Sequence, residues 1–106
     1  MCGLVAALGP DFGKRNDLLR GIEQSLSSLV YRGPDSQLHK SFTDNFVCGH
    51  ARLAISDSHS ELANQPLISQ DGQTIILFNG EIYNALELWD LYGLTVELKT
   101  DSDTEK

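Results

Sequence analysis

Four short stretches hold residue types that could carry out acyl-transfer chemistry. Cys2 stands directly after Met1, so removal of the initiator would place a thiol and a free α-amine on one residue. That amine titrates near pH ~8 and can take a proton from the thiol, directly or through a water. On position alone the plainer account, a buried cysteine beside the start, is the stronger one. The stretch Phe78-Asn79-Gly80-Glu81-Ile82-Tyr83-Asn84 reads as a strand that ends in Asn-Gly. Such an end can turn a backbone N–H and an amide NH₂ toward one point, which is what a tetrahedral oxyanion needs. The dipeptide by itself favours a simple hairpin turn. In Gly49-His50-Ala51-Arg52-Leu53-Ala54-Ile55, Arg52 could clamp a carboxylate in a two-pronged fork, or lie exposed at the end of a strand. In Thr100-Asp101-Ser102-Asp103-Thr104-Glu105, a carboxylate could hold a substrate ammonium, while Ser102 and Glu105 also have capping-box spacing.

Other chemistries find less support. Cys2, Cys48, His50 and His59 do not follow the spacing of a known zinc framework, so no metal is expected. His39 is expected on a solvated strand face. No GxxxxGK phosphate loop occurs. The 106 residues carry a formal charge of −7, with 15 Asp and Glu against 8 Lys and Arg. That balance argues against nucleic acid and against an anionic membrane surface. With 41% hydrophobic and 22% charged residues, the composition is that of one globular domain with a modest core. No apolar run approaches the ~20 residues of a spanning helix. Two cysteines allow one disulfide at most, and the N-terminus lacks the features of a signal peptide. The expected setting is therefore reducing and cytoplasmic.

The elements that must position these residues follow from periodicity and punctuation. Gly3–Leu8 has the length of a buried strand, and Gly9-Pro10-Asp11 turns the chain. Asn16 or Asp17 can cap a helix with apolar positions Leu18, Leu19, Ile22, Leu26, Leu29 and Val30, expected to end near Arg32-Gly33-Pro34. Gln37–Phe42 and Phe46–Leu53 read as strands joined by Thr43-Asp44-Asn45. Asp57–Pro66 reads as a loop, and Thr74–Phe78 as the clearest buried strand. A short helix over Ala85–Tyr92 should stop at Gly93. Leu94, Val96 and Leu98 alternate as in a half-buried strand, and a further helix should begin at Ser102, so the domain is expected to continue beyond Lys106. The fold class is α+β.

The order of these motifs is more specific than any one of them. Met1-Cys2-Gly3, Arg32-Gly33-Pro34-Asp35, the Gly49–Ile55 stretch, Gln65-Pro66-Leu67, the Phe78–Asn84 stretch and the Thr100–Glu105 stretch together resemble the N-terminal glutaminase domain of glutamine-hydrolysing asparagine synthetases. These are class II amidotransferases with an N-terminal nucleophile. The resemblance implies an Ntn-hydrolase-like αββα sandwich of antiparallel sheets, incomplete here, with residues 1–106 as the N-terminal portion of the domain. It implies that Cys2 attacks the amide of glutamine, that Asn79 and the Gly80 N–H form the oxyanion hole, and that Arg52, with Leu53 and Ile55 beside it, binds the α-carboxylate. Glu81 and Asp103 would take the α-ammonium, and Arg32–Asp35 would shape the floor of the site. The implied partner is a synthetase domain or subunit that receives ammonia for asparagine synthesis; ATP and Mg would be needed only there, and a homodimer is a further possibility. Two rival readings stay open at this point: a non-catalytic binding module, and an amidotransferase-like chain serving another acceptor.

Overall fold

A computed structural model describes residues 1–55, 57, 59–93 and 97–105. Among these residues the chain forms an α+β arrangement of two antiparallel sheets and two α-helices. Strands β1 (Gly3–Leu8), β2 (Ser36–Thr43) and β3 (Phe46–Arg52) make a sheet of order β1-β3-β2. Leu4 lies opposite His50 in β1–β3, and Leu38 lies opposite His50 in β2–β3. The three strands occupy the segments expected from the sequence, and Thr43-Asp44-Asn45 forms the β2–β3 connection.

Helix α1 (Asn16–Ser28) covers one face of this sheet. Ile22 and Leu26 pack on Val47 and Ala51, with Val5, Ala7, Leu19 and Leu29 around them. Helix and sheet touch closely at Gly49, where an added Cβ would come within 2.7 Å of Leu26 Cδ1. The helix differs from expectation at both ends. Arg15, not Asn16 or Asp17, occupies the N-cap position and makes no side-chain capping bond; it pairs instead with Asp17 in the first turn. The helix stops at Ser28, short of Arg32. Ser25, Ser27 and Ser28 donate their hydroxyls to the carbonyls of Gly21, Glu23 and Gln24, a back-bonding that loosens the final turns. Residues Leu29–Gly33 then form turns, with the Arg32 and Gly33 N–H groups both donating to the Leu29 carbonyl.

The second part of the chain is less regular. A 3₁₀ turn at Glu61–Ala63 lies inside the expected loop. Strands β4 (Leu67–Ile68) and β5 (Ile75–Ile76) form a separate two-stranded sheet. Their connection is fixed by Asp71 Oδ1, which accepts from the Ser69 hydroxyl and the Gln73 N–H, and by Gly72 at φ 71°. That left-handed conformation favours glycine. The expected buried strand Thr74–Phe78 is thus only two residues long, and Ile76 is 43% exposed. The ladder stops because the Phe78 backbone bonds to side chains instead, as described below.

Helix α2 (Ala85–Leu91) ends as expected at Gly93, which sits at φ 59°. The expected strand around Leu94–Leu98 falls partly outside the described residues; the described part, 97–99, is not a strand. No helix begins at Ser102 among the described residues. Glu105 reaches back past Ser102 to the N–H groups of Lys99 and Thr100, so its carboxylate stabilises a turn rather than a helix start. Among the described residues, no helix is long and apolar enough to cross a membrane. The molecule is 18 Å across its thinnest axis, and Leu4, Leu8 and Leu38 are exposed on strands β1 and β2.

Candidate active site

Strand β3 sets the site through its alternation. Val47, Gly49 and Ala51 face α1, so Cys48, His50 and Arg52 point to the opposite side. All three are buried. Burial pushes the Cys48 thiol above its ordinary pKa. His50 meets the Phe78 carbonyl, and Arg52 lines a cavity of about 200 Å³. That volume is below the roughly 300–1,000 Å³ of drug-sized sites and suits a ligand of amino-acid size.

Cys2 precedes β1 at the end of the sheet where Arg52 leaves β3. Its Sγ accepts the Leu53 N–H at 3.3 Å and lies 3.7 Å from the Leu53 carbonyl, so both backbone groups of one residue orient the thiol. The Arg32-Gly33-Pro34-Asp35 segment underlies this corner. Arg32 Nε donates to the Cys2 carbonyl at 3.1 Å. The Asp35 N–H donates to the Arg52 carbonyl, and Asp35 Oδ2 accepts the Ala54 N–H at 2.7 Å. Gly33 lies so close to β3 that an added Cβ would stand 2.2 Å from the Ala51 carbonyl oxygen. Only a residue without a side chain fits there.

Asn79 and Gly80 border the same cavity. They do not form the hairpin turn that Asn-Gly so often marks. Neither has positive φ, which the tight hairpin would require, and the chain bends at Gly80 on its way to Ile82. Gly80 is tucked beside the Phe78 ring, 2.7 Å from the position of an added Cβ. Among the described residues, the Asn79 amide, the Gly80 N–H and the Glu81 carboxylate make no hydrogen bond or ion pair.

Arg52 is differently placed. Its Nη1 donates to the Ser60 carbonyl at 3.0 Å and Asn64 Oδ1 at 2.9 Å, and its Nη2 donates to the Asp57 carbonyl at 2.8 Å. It is thus neither an exposed strand-end charge nor a free fork; it grips the 57–64 loop while bordering the cavity. Asp57, held at φ 46°, also accepts the Asp101 N–H at 3.0 Å. This brings the Thr100–Glu105 turn to the cavity's far wall. There Asp103 Oδ2 accepts the Ile82 N–H at 2.6 Å, just beyond Glu81. Glu105 accepts from the Lys99 N–H and from the Thr100 N–H and hydroxyl. Burial pushes its carboxyl upward, but these bonds outweigh it and hold the pKa below the usual value.

The eight residues singled out by sequence (Cys2, Arg52, Leu53, Ile55 and Asn79–Glu81 with Asp103) therefore border one cavity, although they come from four separate stretches. Ile55 is exposed at the mouth, as is Tyr83. Sequence reasoning assigned no role to Gln65, Ser102 or Tyr83, which also border it, nor to His50 behind it. Strand alternation was a usable signal for His50, because it shares a face with Arg52; Gln65 stood in the Gln65-Pro66-Leu67 motif, but nothing local gave it a role. A larger groove of about 800 Å³ between the β4–β5 hairpin, α2 and Glu97–Lys99 is lined by no cysteine or histidine among the described residues, and its Ser69, Asp71 and Glu105 are engaged in local backbone bonds. Among the described residues, no three His, Cys, Asp or Glu side chains are grouped to hold a metal.

Comparison with known proteins gives this arrangement a context. The family profile for the glutamine amidotransferase domain matches residues 1–106. A nodule asparagine synthetase (glutamine-hydrolyzing) from Pisum sativum is 44% identical over 89 residues, covering 83% of this chain and 14% of that protein. Asparagine synthetase (glutamine-hydrolyzing) 1 from Bacillus subtilis strain 168 is 40% identical over 108 residues, covering 99% of the chain and 16% of that protein. The Zea mays asparagine synthetase (glutamine-hydrolyzing) is 41% identical over 109 residues, with 99% and 17% covered. The chain thus spans well under a quarter of the length of these relatives.

Proposed function

The chain belongs to the glutamine amidotransferase domain family, and on that premise we propose that it hydrolyses glutamine to glutamate and ammonia, with Cys2 as the nucleophile. The observation that carries the reading is the convergence of Cys2, of Asn79 and Gly80, and of the charged trio Arg52, Glu81 and Asp103 on one amino-acid-sized cavity.

With Met1 removed, the α-amine of Cys2 takes the thiol proton, and Sγ attacks the side-chain amide carbon of glutamine. The carbonyl oxygen becomes an oxyanion met by the Asn79 amide and the Gly80 N–H. The C–N bond breaks as the ammonium of Cys2 returns its proton to the leaving nitrogen, and ammonia departs from a glutamyl thioester. Water, deprotonated by the same amine, attacks the thioester; glutamate leaves and the thiol is restored. Arg52 meets the α-carboxylate and shares its guanidinium between that ligand and the 57–64 loop. Leu53 and Ile55 flank it, while Glu81 and Asp103 meet the α-ammonium, with Asp103 also holding the Ile82 N–H.

The family resemblance extends the proposal. Ammonia passes to a synthetase domain or subunit for asparagine formation, ATP and Mg²⁺ belong to that partner, and no cofactor is assigned to the residues described here. Residues 1–106 form the N-terminal portion of an αββα sandwich; the exposed Leu4, Leu8 and Leu38 support a further layer against the sheet. The setting is reducing and cytoplasmic, and a homodimer is compatible with it.

The test is an intact mass spectrum after incubation with a glutamine-mimicking diazoketone. Loss of Met1 and a single adduct on Cys2, blocked by excess glutamine, is the expected result. Retained Met1, or no adduct after its removal, would overturn the nucleophile assignment in favour of a non-catalytic binding role.

A further inference from the structure

The segment that presents Asn79 and Gly80 is not held by strand pairing. The β4–β5 ladder ends at Ile76, and two residues later the Phe78 backbone is gripped from both sides by side chains. Its N–H donates to Gln65 Oε1, and its carbonyl accepts from His50 Nε2 at 3.2 Å. Both side chains are buried, His50 at 1% and Gln65 at 7% exposure. The Phe78 carbonyl lies in the same peptide plane as the Asn79 N–H. Fixing that carbonyl therefore fixes the plane from which the Asn79 side chain and the Gly80 peptide extend.

The chemistry of the two side chains is settled by their partners. A carbonyl can only accept, so His50 carries a proton on Nε2; among the described residues Nδ1 is buried without a partner, so a second proton there would have no acceptor. The Phe78 N–H can only donate, so Gln65 presents its oxygen there. Gln65 Nε2 donates in turn to Thr104 Oγ1 at 3.3 Å. Thr104 follows Asp103, whose carboxylate holds the Ile82 N–H. One buried amide thus ties the Asn79–Gly80 wall of the cavity to the Asp103 wall, while His50 ties the first wall to the central strand that also carries Arg52.

We infer that His50 and Gln65 are positioning residues for the oxyanion donors, clamping the Phe78 peptide so that Asn79 and Gly80 stand at a fixed place relative to Cys2. The inference deepens, and rests on, the reading of Asn79 and Gly80 as those donors. Its consequence is selective: donors that act on the developing oxyanion affect the transition state more than the bound substrate. Displacing such groups by about 1 Å can cost on the order of a hundredfold in rate.

The experiment compares wild type, His50→Leu, His50→Gln and Gln65→Leu in the full-length protein, by glutamine hydrolysis and by peptide-resolved hydrogen exchange. His50→Leu and Gln65→Leu should each lower kcat by about ten- to a hundredfold while KM stays within about threefold. His50→Gln can place an N–H near the former Nε2 position and should recover most of that loss. Exchange over residues 77–82 should speed up about tenfold in both leucine variants, with protection over 46–52 retained. A loss confined to KM, a glutamine variant no better than leucine, or unchanged exchange over 77–82 would overturn the inference. If His50→Leu loses protection throughout the sheet, Gln65→Leu and His50→Gln decide the matter. A wild type without glutaminase activity would sink the functional reading, and the exchange data would still decide whether the clamp exists.

Discussion

The two halves of this chain are held together by different forces. From Gly3 to Arg52, strands pair over six or more residues, and an amphipathic helix buries Ile22 and Leu26 against Val47 and Ala51. From Asp57 to Glu105, among the described residues, the strands are two residues long and the buried apolar residues are two alanines, Ala63 and Ala85. What orders that half is a set of side chains bonded to backbone: Arg52 to the 57–64 loop, Gln65 and His50 to Phe78, Asp103 to Ile82, and Glu105 to Lys99 and Thr100. The first half carries the proposed nucleophile, and the second carries the proposed oxyanion donors. Stability is thus concentrated in one half and site geometry in the other, and substitutions should separate the two.

The largest effect belongs to Cys2→Ala. It removes the sulfur while leaving the β1–β3 pairing and the α1 core intact, so glutamine hydrolysis should fall by about 10⁴-fold or more with little change in thermal midpoint. Steady-state ammonia release beside a melting curve checks both parts; a parallel collapse of fold would mean that Cys2 is structural. Next in size is a pair of truncations. Leu26→Ala should destabilise the chain by about 2–5 kcal/mol, because it empties a fully enclosed site between helix and sheet. Leu67→Ala, in a half-buried two-residue strand, should cost about 1 kcal/mol or less. Denaturant titrations of both would break the comparison if the two costs proved equal.

The same division explains what was legible in the sequence. β1, β2 and β3 were readable because strand-length runs agree with turn punctuation, although of the three only β3 is buried over most of its length, and Gly93 marked the end of α2 through its left-handed backbone. Thr74–Phe78 misled, since its apolar run is the signature of a buried strand, while Phe78 is taken out of the ladder by Gln65, thirteen positions earlier, and by His50 on another sheet. No local pattern encodes such bonds. The Ser102–Glu105 spacing misled for a related reason: Glu105 found its donors at Lys99 and Thr100 rather than at Ser102. Arg52 was legible as a residue on the cavity but not as the grip on the 57–64 loop. The motifs were read correctly as neighbours in space because their order along the chain, rather than any periodicity, carried the information.

Acid should weaken the second half first. Burial, with the nearby Arg52 charge adding to it, lowers the His50 pKa below 6.5, against the raising influence of the Phe78 carbonyl. Its neighbours across the sheet, Leu4 and Leu38, are apolar, and Cys48 on its own strand is held protonated by burial. A histidine kept neutral by folding contributes stability that is present above its unfolded pKa and lost as pH falls toward the folded value. Protonation would also create a buried Nδ1–H with no acceptor among the described residues. The expected result is a decline in protection over residues 77–82 as pH drops below about 6.5, absent in His50→Gln. Glu105, also lowered, adds a second loss in the same direction at more acid pH, below about 4.5. A pH profile that is flat between neutral and mildly acid conditions would separate His50 from the order of this segment.

The smallest predicted effect has the opposite sign and lies in the stable half. Ser27 and Ser28 are exposed, and each bonds a carbonyl four residues back. Alanine at either position removes a competitor for those carbonyls and has the higher helix propensity, by about 0.5 kcal/mol per residue. Neither side chain belongs to the Ile22–Leu26 core or to the cavity. The double variant should therefore raise the thermal midpoint by a few degrees and leave glutamine hydrolysis unaltered. A gain of stability with unchanged kinetics would sharpen the separation between scaffold and site. A change in kcat would instead mean that the end of α1 is coupled to Cys2 through the Arg32–Asp35 segment, because that segment joins the helix to the Cys2 carbonyl and to the Arg52 backbone.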